Sequence, residues 1–216
     1  MNRLIFLLKN IHIGLQIILW LLCFYWLDFE LYTYIVNDNL IMKTLLGVML
    51  LSCQLFFFEN LYYLIIIDSV FEKEPNQNVE LQNINENLNC TTCKKCNILR
   101  PKRTHHCRYC NKCIIRMDHH CFSLNKCIGK RNYLFFLKYL VTLEINISLI
   151  FWITLYVCIN YYYEIEFITL IKYGVLIFAS FIGSIGIFFY LIFHLYLFLK
   201  KITTLELFYP SLRKVQ

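Results

Sequence analysis

Apolar residues in this chain fall into four long runs, covering residues 11–27, 41–67, 134–160 and 167–199. Runs of this length predict helices that are hydrophobic on every side, and roughly 20 such residues cross the ~30 Å of hydrocarbon in a bilayer. The first run lacks a small-residue cleavage site and continues straight into "CFYWLDFELY". It therefore predicts an uncleaved span rather than a secretory leader. Between the second and third runs lies the one long polar stretch, residues 68–133. Its part 72–89 is polar and aperiodic and reads as a flexible linker, and the remainder is dense in cysteine and histidine.

Composition agrees: 59% of the 216 residues are hydrophobic and 18% aromatic, more than a soluble domain of this size needs. The net charge of +7 matters less than where it falls. Residues 68–133 hold twelve Lys and Arg, and the ends carry Arg3, Lys9, Lys200, Lys201, Arg213 and Lys214. The segments 28–40 and 161–166 carry only acids, Asp28, Glu30, Asp38, Glu164 and Glu166. Basic flanks stay cytosolic. The expected fold is an all-α polytopic membrane protein, with four transmembrane helices and a cytosolic two-zinc cysteine-rich domain between spans 2 and 3. Its parts are an N-terminal hairpin (1–67), the zinc domain (68–133), spans 3 and 4 (134–199) and a short cytosolic tail (200–216). The multi-pass chain would place both termini in the cytosol, on a Golgi, ER or other endomembrane.

Cytosolic thiols are kept reduced, so metal binding or catalysis explains the cysteines better than disulfides do. Cys23, Cys53 and Cys158 lie in the apolar runs and read as small core residues. Six of the other eight form a repeat. Cys93-x2-Cys96-x9-His106-x6-Cys113 and Cys107-x2-Cys110-x9-His120-x6-Cys127 share one spacing, offset by fourteen residues and interleaved. Three thiolates and an imidazole make a closed tetrahedral set, the mark of a structural zinc. Two structural zinc ions are expected, with Cys93, Cys96, His106 and Cys113 on one and Cys107, Cys110, His120 and Cys127 on the other. With few apolar residues nearby, the metals would supply the folding free energy of this loop.

Within its own span the repeat leaves one thiol unspoken for, Cys121, with Cys90 just outside it. "THHC" (Thr104 to Cys107) aligns with "DHHC" (Asp118 to Cys121), but fourteen residues beyond Cys121 stands Phe135. Attack requires a thiolate, an imidazole can take the proton, and a carboxylate can hold that imidazole in the correct tautomer. Cys121, His119 and Asp118 supply these parts. A bilayer-surface position favours an electrophile with a lipid tail and a charged head, such as a long-chain acyl thioester of coenzyme A. Arg100, Lys102, Arg103, Lys126, Lys130 and Arg131 are available to its phosphates, although most such charges simply set topology. Glu59, Glu144 and His194 sit in or at the edge of spans, where ionisable groups are costly. No polar stripe joins them as a transport path would require. Nucleic acid is not an expected partner.

Around these residues the sequence resembles the DHHC-type protein S-acyltransferases, the palmitoyltransferase family. The resemblance runs from Cys93 through "RPKRTHHC", "RMDHHC" and "NKCIGKRNYLFF" to Phe136. It implies autoacylation of Cys121 from palmitoyl-CoA, His119 as base oriented by Asp118, and transfer to membrane-proximal cysteines of protein substrates. "TTLE" (Thr203, Thr204, Leu205, Glu206) looks like the family's Thr-Thr-x-Glu motif, whose threonines approach the active-site acid. The chain departs from the family pattern at Phe122 and Ser123, where Pro-Trp is usual, and at Lys126, where Asn is usual. The rival reading is a catalytically idle zinc-binding membrane scaffold.

Overall fold

Three helices carry most of the apolar sequence: α1 (Leu40–Ile66), α2 (Tyr133–Asn160) and α3 (Phe167–Lys200). The computed structural model describes residues 40–71 and 90–214, so the first predicted span and the 72–89 linker lie outside the described residues. None of the three helices contains proline, which would break the i→i−4 ladder. Each has a stretch long and apolar enough to cross a membrane: Gly47–Ile66, Tyr133–Asn160 and Phe167–Lys200. At 1.5 Å per residue the 34 residues of α3 extend about 51 Å, well beyond the ~30 Å a hydrocarbon layer occupies.

The chain forms two compact units, and the division cuts through these helices. One holds, of the described residues, 40–59 together with Tyr139–Leu191. There Val157, Ile165 and Tyr173 form a buried cluster against Ile150, Ile153 and Leu170. Glu144 of α2 accepts hydrogen bonds from Ser184 of α3 at 2.6 Å and from Ser148 at 3.1 Å, so a carboxyl group among apolar residues is partly satisfied.

The second unit, which holds the described residues 60–71, 90–138 and 192–214, contains the cysteine-rich segment. Here the all-α expectation is corrected. Residues 91–128 fold as three two-stranded antiparallel hairpins: β1 (Thr91–Cys93) with β2 (Ile98–Arg100), β3 (His105–Cys107) with β4 (Lys112–Ile114), and β5 (His119–Cys121) with β6 (Lys126–Ile128). Strands of three residues carry no period-2 apolar pattern, which is why the sequence signals a metal-binding loop and not a strand. Each turn has an asparagine with positive φ: Asn97 (53°), Asn111 (53°) and Asn125 (47°). Asparagine is among the few side chains that adopt this left-handed backbone without a large penalty. The fourteen-residue period therefore has three copies, one per hairpin.

Asn132 ties the hairpins to the helices. It is fully buried, and its Oδ1 accepts from Ser69 Oγ (3.0 Å) and the Gly129 N–H (2.9 Å). Its Nδ2 donates to the carbonyls of Ile67 (3.2 Å) and Cys127 (3.0 Å). Gly129 marks a close approach: a Cβ there would lie 2.7 Å from the Ile115 carbonyl oxygen. A short helix, α4 (Thr204–Phe208), comes after α3 and is capped by a reciprocal pair. The Thr203 hydroxyl accepts from the Glu206 N–H, and the Glu206 carboxylate accepts from the Thr203 N–H. One further turn, α5 (Ser211–Lys214), completes the described chain.

Candidate active site and metal clusters

Each predicted ligand set comes together. Cys93 and Cys96 of the first hairpin meet His106 and Cys113 of the second, and Cys107 and Cys110 of the second meet His120 and Cys127 of the third. Within each set the ligand atoms all lie within 4.8 Å of one another. A tetrahedral zinc with bonds of ~2.3 Å to sulfur and ~2.0 Å to nitrogen has edges of about 3.5–3.8 Å. The observed edges include 3.8 Å for Cys96–Cys113, 3.6 Å for Cys93–His106 and 3.6 Å for both Cys107–His120 and Cys127–His120. In both sets the imidazole turns Nδ1 toward the sulfurs. Without a cation the thiols cannot all ionise: burial, with the sulfurs of Cys93 and Cys96 beside it, pushes Cys113 up to about 12. The two clusters could thus hold metal ions, and the donor set suits zinc.

The third hairpin breaks the series. Cys121 stands where Cys93 and Cys107 stand in their hairpins, but Leu124 replaces the second cysteine (Cys96, Cys110). Its thiol, half-buried, lies in neither metal cluster. Instead its Sγ lies 3.1 Å from the Ser123 hydroxyl, a contact that the sequence does not reveal.

Two residues back on the same strand, His119 shares its Nδ1 proton with Asp118 Oδ2 at 2.8 Å. Asp118 is 1% exposed, and Thr204 supplies its other donors. The Thr204 N–H donates to Oδ1 at 2.9 Å, and the Thr204 hydroxyl donates to Oδ2 at 2.6 Å. Burial alone would raise the Asp118 pKa, but these donors outweigh it and hold the carboxyl below its ordinary range. Burial likewise opposes charge on His119, yet Asp118 and the Cys121 thiol together raise it to about 9. For Cys121 burial works against the thiolate. His119, the Ser123 hydroxyl and the Leu124 N–H overcome it and lower the pKa. His119 Nε2 is buried and has no hydrogen bond of normal geometry among the described residues. Resting enzymes often hold such catalytic contacts long and close them only around substrate.

Thr204 touches the acid directly, whereas Thr203 caps α4. Glu206, visible in the sequence only as a motif position, takes a third part. It is buried and grips Arg103 with both oxygens, Nε at 2.5 Å and Nη2 at 2.6 Å, while Arg103 also donates to the Lys201 carbonyl at 2.9 Å. Arg103 is thus committed to structure rather than to a phosphate. So is Lys126, which pairs with Asp68 at 2.9 Å and hydrogen-bonds the Ile65 carbonyl. His194 of α3, buried, has its ring 5.6 Å from that of His119, with Tyr133 Oη 3.1 Å from its Nδ1. The sequence signal for His194 is no more than an ionisable group inside an apolar run.

Arg103→Ala strands a buried carboxylate. It is expected to cost about 2–4 kcal/mol, the lower end reflecting the partial exposure of the arginine, with Arg103→Lys intermediate because one ammonium cannot span both oxygens. Denaturant midpoints of the three proteins measure this; equal midpoints would show that the pair contributes nothing.

Residues 86–209 match the family described as DHHC palmitoyltransferase, and that span covers more than half of the chain. The chain belongs to this acyltransferase family. No curated protein matches it. The interleaved clusters, the third hairpin with its lone thiol, and α4 all fall inside the residues matched to the DHHC family.

Proposed function

We propose that the protein is a protein S-acyltransferase that moves a long-chain acyl group, palmitoyl for example, from its coenzyme A thioester to Cys121 and then to cysteines of membrane-associated proteins. The observation that carries this reading is the third hairpin: it keeps the repeat's geometry but frees its cysteine from metal and couples it to an Asp118–His119 pair. In the first step the Cys121 thiolate adds to the thioester carbonyl. The carbon–sulfur bond to coenzyme A breaks, and the departing thiolate takes the proton held on His119. In the second step a substrate thiol gives its proton to His119 and attacks the acyl carbonyl, and Cys121 leaves as thiolate. Each step exchanges one thioester for another, so neither is strongly uphill. Thr204 and Asp118 keep the imidazole in one tautomer throughout.

In this reading the hairpins carry two structural zinc ions that position the third hairpin and do no Lewis-acid chemistry. Residues 68–133 and both termini face the cytosol on an endomembrane, flanked by spans 1–67 and 134–199 and a 200–216 tail, with four crossings in all. Support for the orientation comes from the charge asymmetry of the connecting segments. Phe122 and Ser123, where the family has Pro-Trp, favour the scaffold as the second reading.

The test is uptake of labelled palmitoyl-coenzyme A by purified protein as a hydroxylamine-labile adduct; no uptake at any pH would favour the scaffold. Its pH profile should show the paired state. The Cys121 pKa is lowered from that of an ordinary thiol, and His119 keeps its proton up to about 9. Acylation is expected to reach half its maximum below the pH at which an unassisted thiol would, stay level, and decline as His119 deprotonates. A half-maximum at or above the ordinary thiol value would argue against pairing. Stability has the same sign: the His119 pKa is raised from 6.5, so its contribution is complete below 6.5 and is lost as pH climbs through about 9.

A further inference from the structure

A cleft of about 470 Å³ opens in the second unit, with Asp118 but not Cys121 among its lining residues. Its walls come from the first turn of α2 and the last turn of α3. Tyr133, Leu134 and Phe198 contribute apolar lining, and Arg116, Lys130 and Lys201 bring three cations. The three side chains make no ion pair within 4.0 Å among the described residues, unlike Arg103 and Lys126. Arg116 is half-buried with Arg103 as its neighbour, so burial and a like charge both work against its cationic form. Glu206, Tyr133 and Asp118 favour the charge without outweighing burial and Arg103, and both Asp118 oxygens already accept hydrogen bonds from Thr204 and His119.

We propose that this cleft binds the headgroup of an anionic phospholipid. Its setting favours a lipid. It lies at the ends of two helices long and apolar enough to cross a membrane, and Leu134 and Phe198 are exposed there to accept glycerol and the first methylenes. Unpaired cations framing an apolar wall at the end of a span match a phosphate that remains tethered to chains in the bilayer. Neither Cys121 nor His119 lines the cleft, although Asp118 and Thr203 do, so it adjoins the acid of the site and not its sulfur.

Native mass spectrometry of the full chain released from nanodiscs tests this. In phosphatidylcholine discs doped with phosphatidylserine, the native protein is expected to retain phosphatidylserine in preference. R116Q/K130Q/K201Q should lose at least about tenfold in apparent affinity, while K94Q/K95Q/K112Q, which removes the same charge from exposed hairpin positions, should keep it. No preference in the native protein overturns the proposal independently of any variant. So does equal retention by the two triple variants, which would reduce the effect to net charge. Displacement of the retained lipid by coenzyme A would also overturn it, and would assign the cleft to the acyl donor's phosphates.

Discussion

Protein carrying Cys121→Ser is expected to take up no hydroxylamine-labile label from palmitoyl-coenzyme A, whereas the native chain takes up close to one acyl group. The substitution removes one sulfur and changes almost nothing else. Residue 121 is half-buried, belongs to neither metal cluster, and contacts Ser123, which a serine hydroxyl can also do. Stability should therefore shift by no more than about 0.5 kcal/mol. The loss of reactivity arises because His119 and Asp118 can ionise a thiol but not an alcohol, whose proton is held far more tightly. Any ester that did form would resist mild hydroxylamine. Asp118→Asn is the companion: it keeps the shape but disturbs the tautomer, and should slow labelling by about 10²–10⁴ without abolishing it. Equal labelling of the native and Cys121→Ser proteins would remove Cys121 from the chemistry and return the reading to a scaffold.

Metal removal has the second large effect. Elemental analysis is expected to give about two zinc per chain, falling to about one in Cys113→Ser; a native value near one would undo the interleaved assignment. Chelation should unfold the hairpins. The buried cluster among them is Cys107, Ile114, Met117 and Cys127, half of it sulfur that metal would claim, and too little apolar surface to hold three hairpins. Structural zinc contributes about 10–16 kcal/mol in small domains. Loss of the second cluster should matter most for catalysis, since it joins the second hairpin to the third, which carries Asp118, His119 and Cys121. Hydrogen exchange of residues 119–128 after partial chelation reads this directly.

The long helices were legible because apolar side chains reported them without interruption: runs at 41–67, 134–160 and 167–199 became Leu40–Ile66, Tyr133–Asn160 and Phe167–Lys200. Ligand grouping was legible because spacing alone separates the two interleaved sets. The hairpins were hidden, although Asn97, Asn111 and Asn125 repeat at the same fourteen-residue interval as the cysteines and mark a third copy. The partners of the site were hidden for a different reason. Arg103 and Glu206 lie 103 residues apart, and nothing local to either shows that a bidentate pair forms. The basic residues near the loop look alike in sequence. Only geometry separates the two that are committed, Arg103 and Lys126, from Lys130, which faces the cleft.

The grip of Thr204 on Asp118 also has a consequence in time. Their contact spans 86 residues, so a ribosome adding about 5–20 residues per second produces the acid some 4–17 s before the group that orients it. During that interval the nascent chain can fold its hairpins and take up metal, yet the imidazole beside the sulfur has an incompletely restrained carboxylate. Translation itself thus sets the order in which the acid and its Thr204 donors become available to each other.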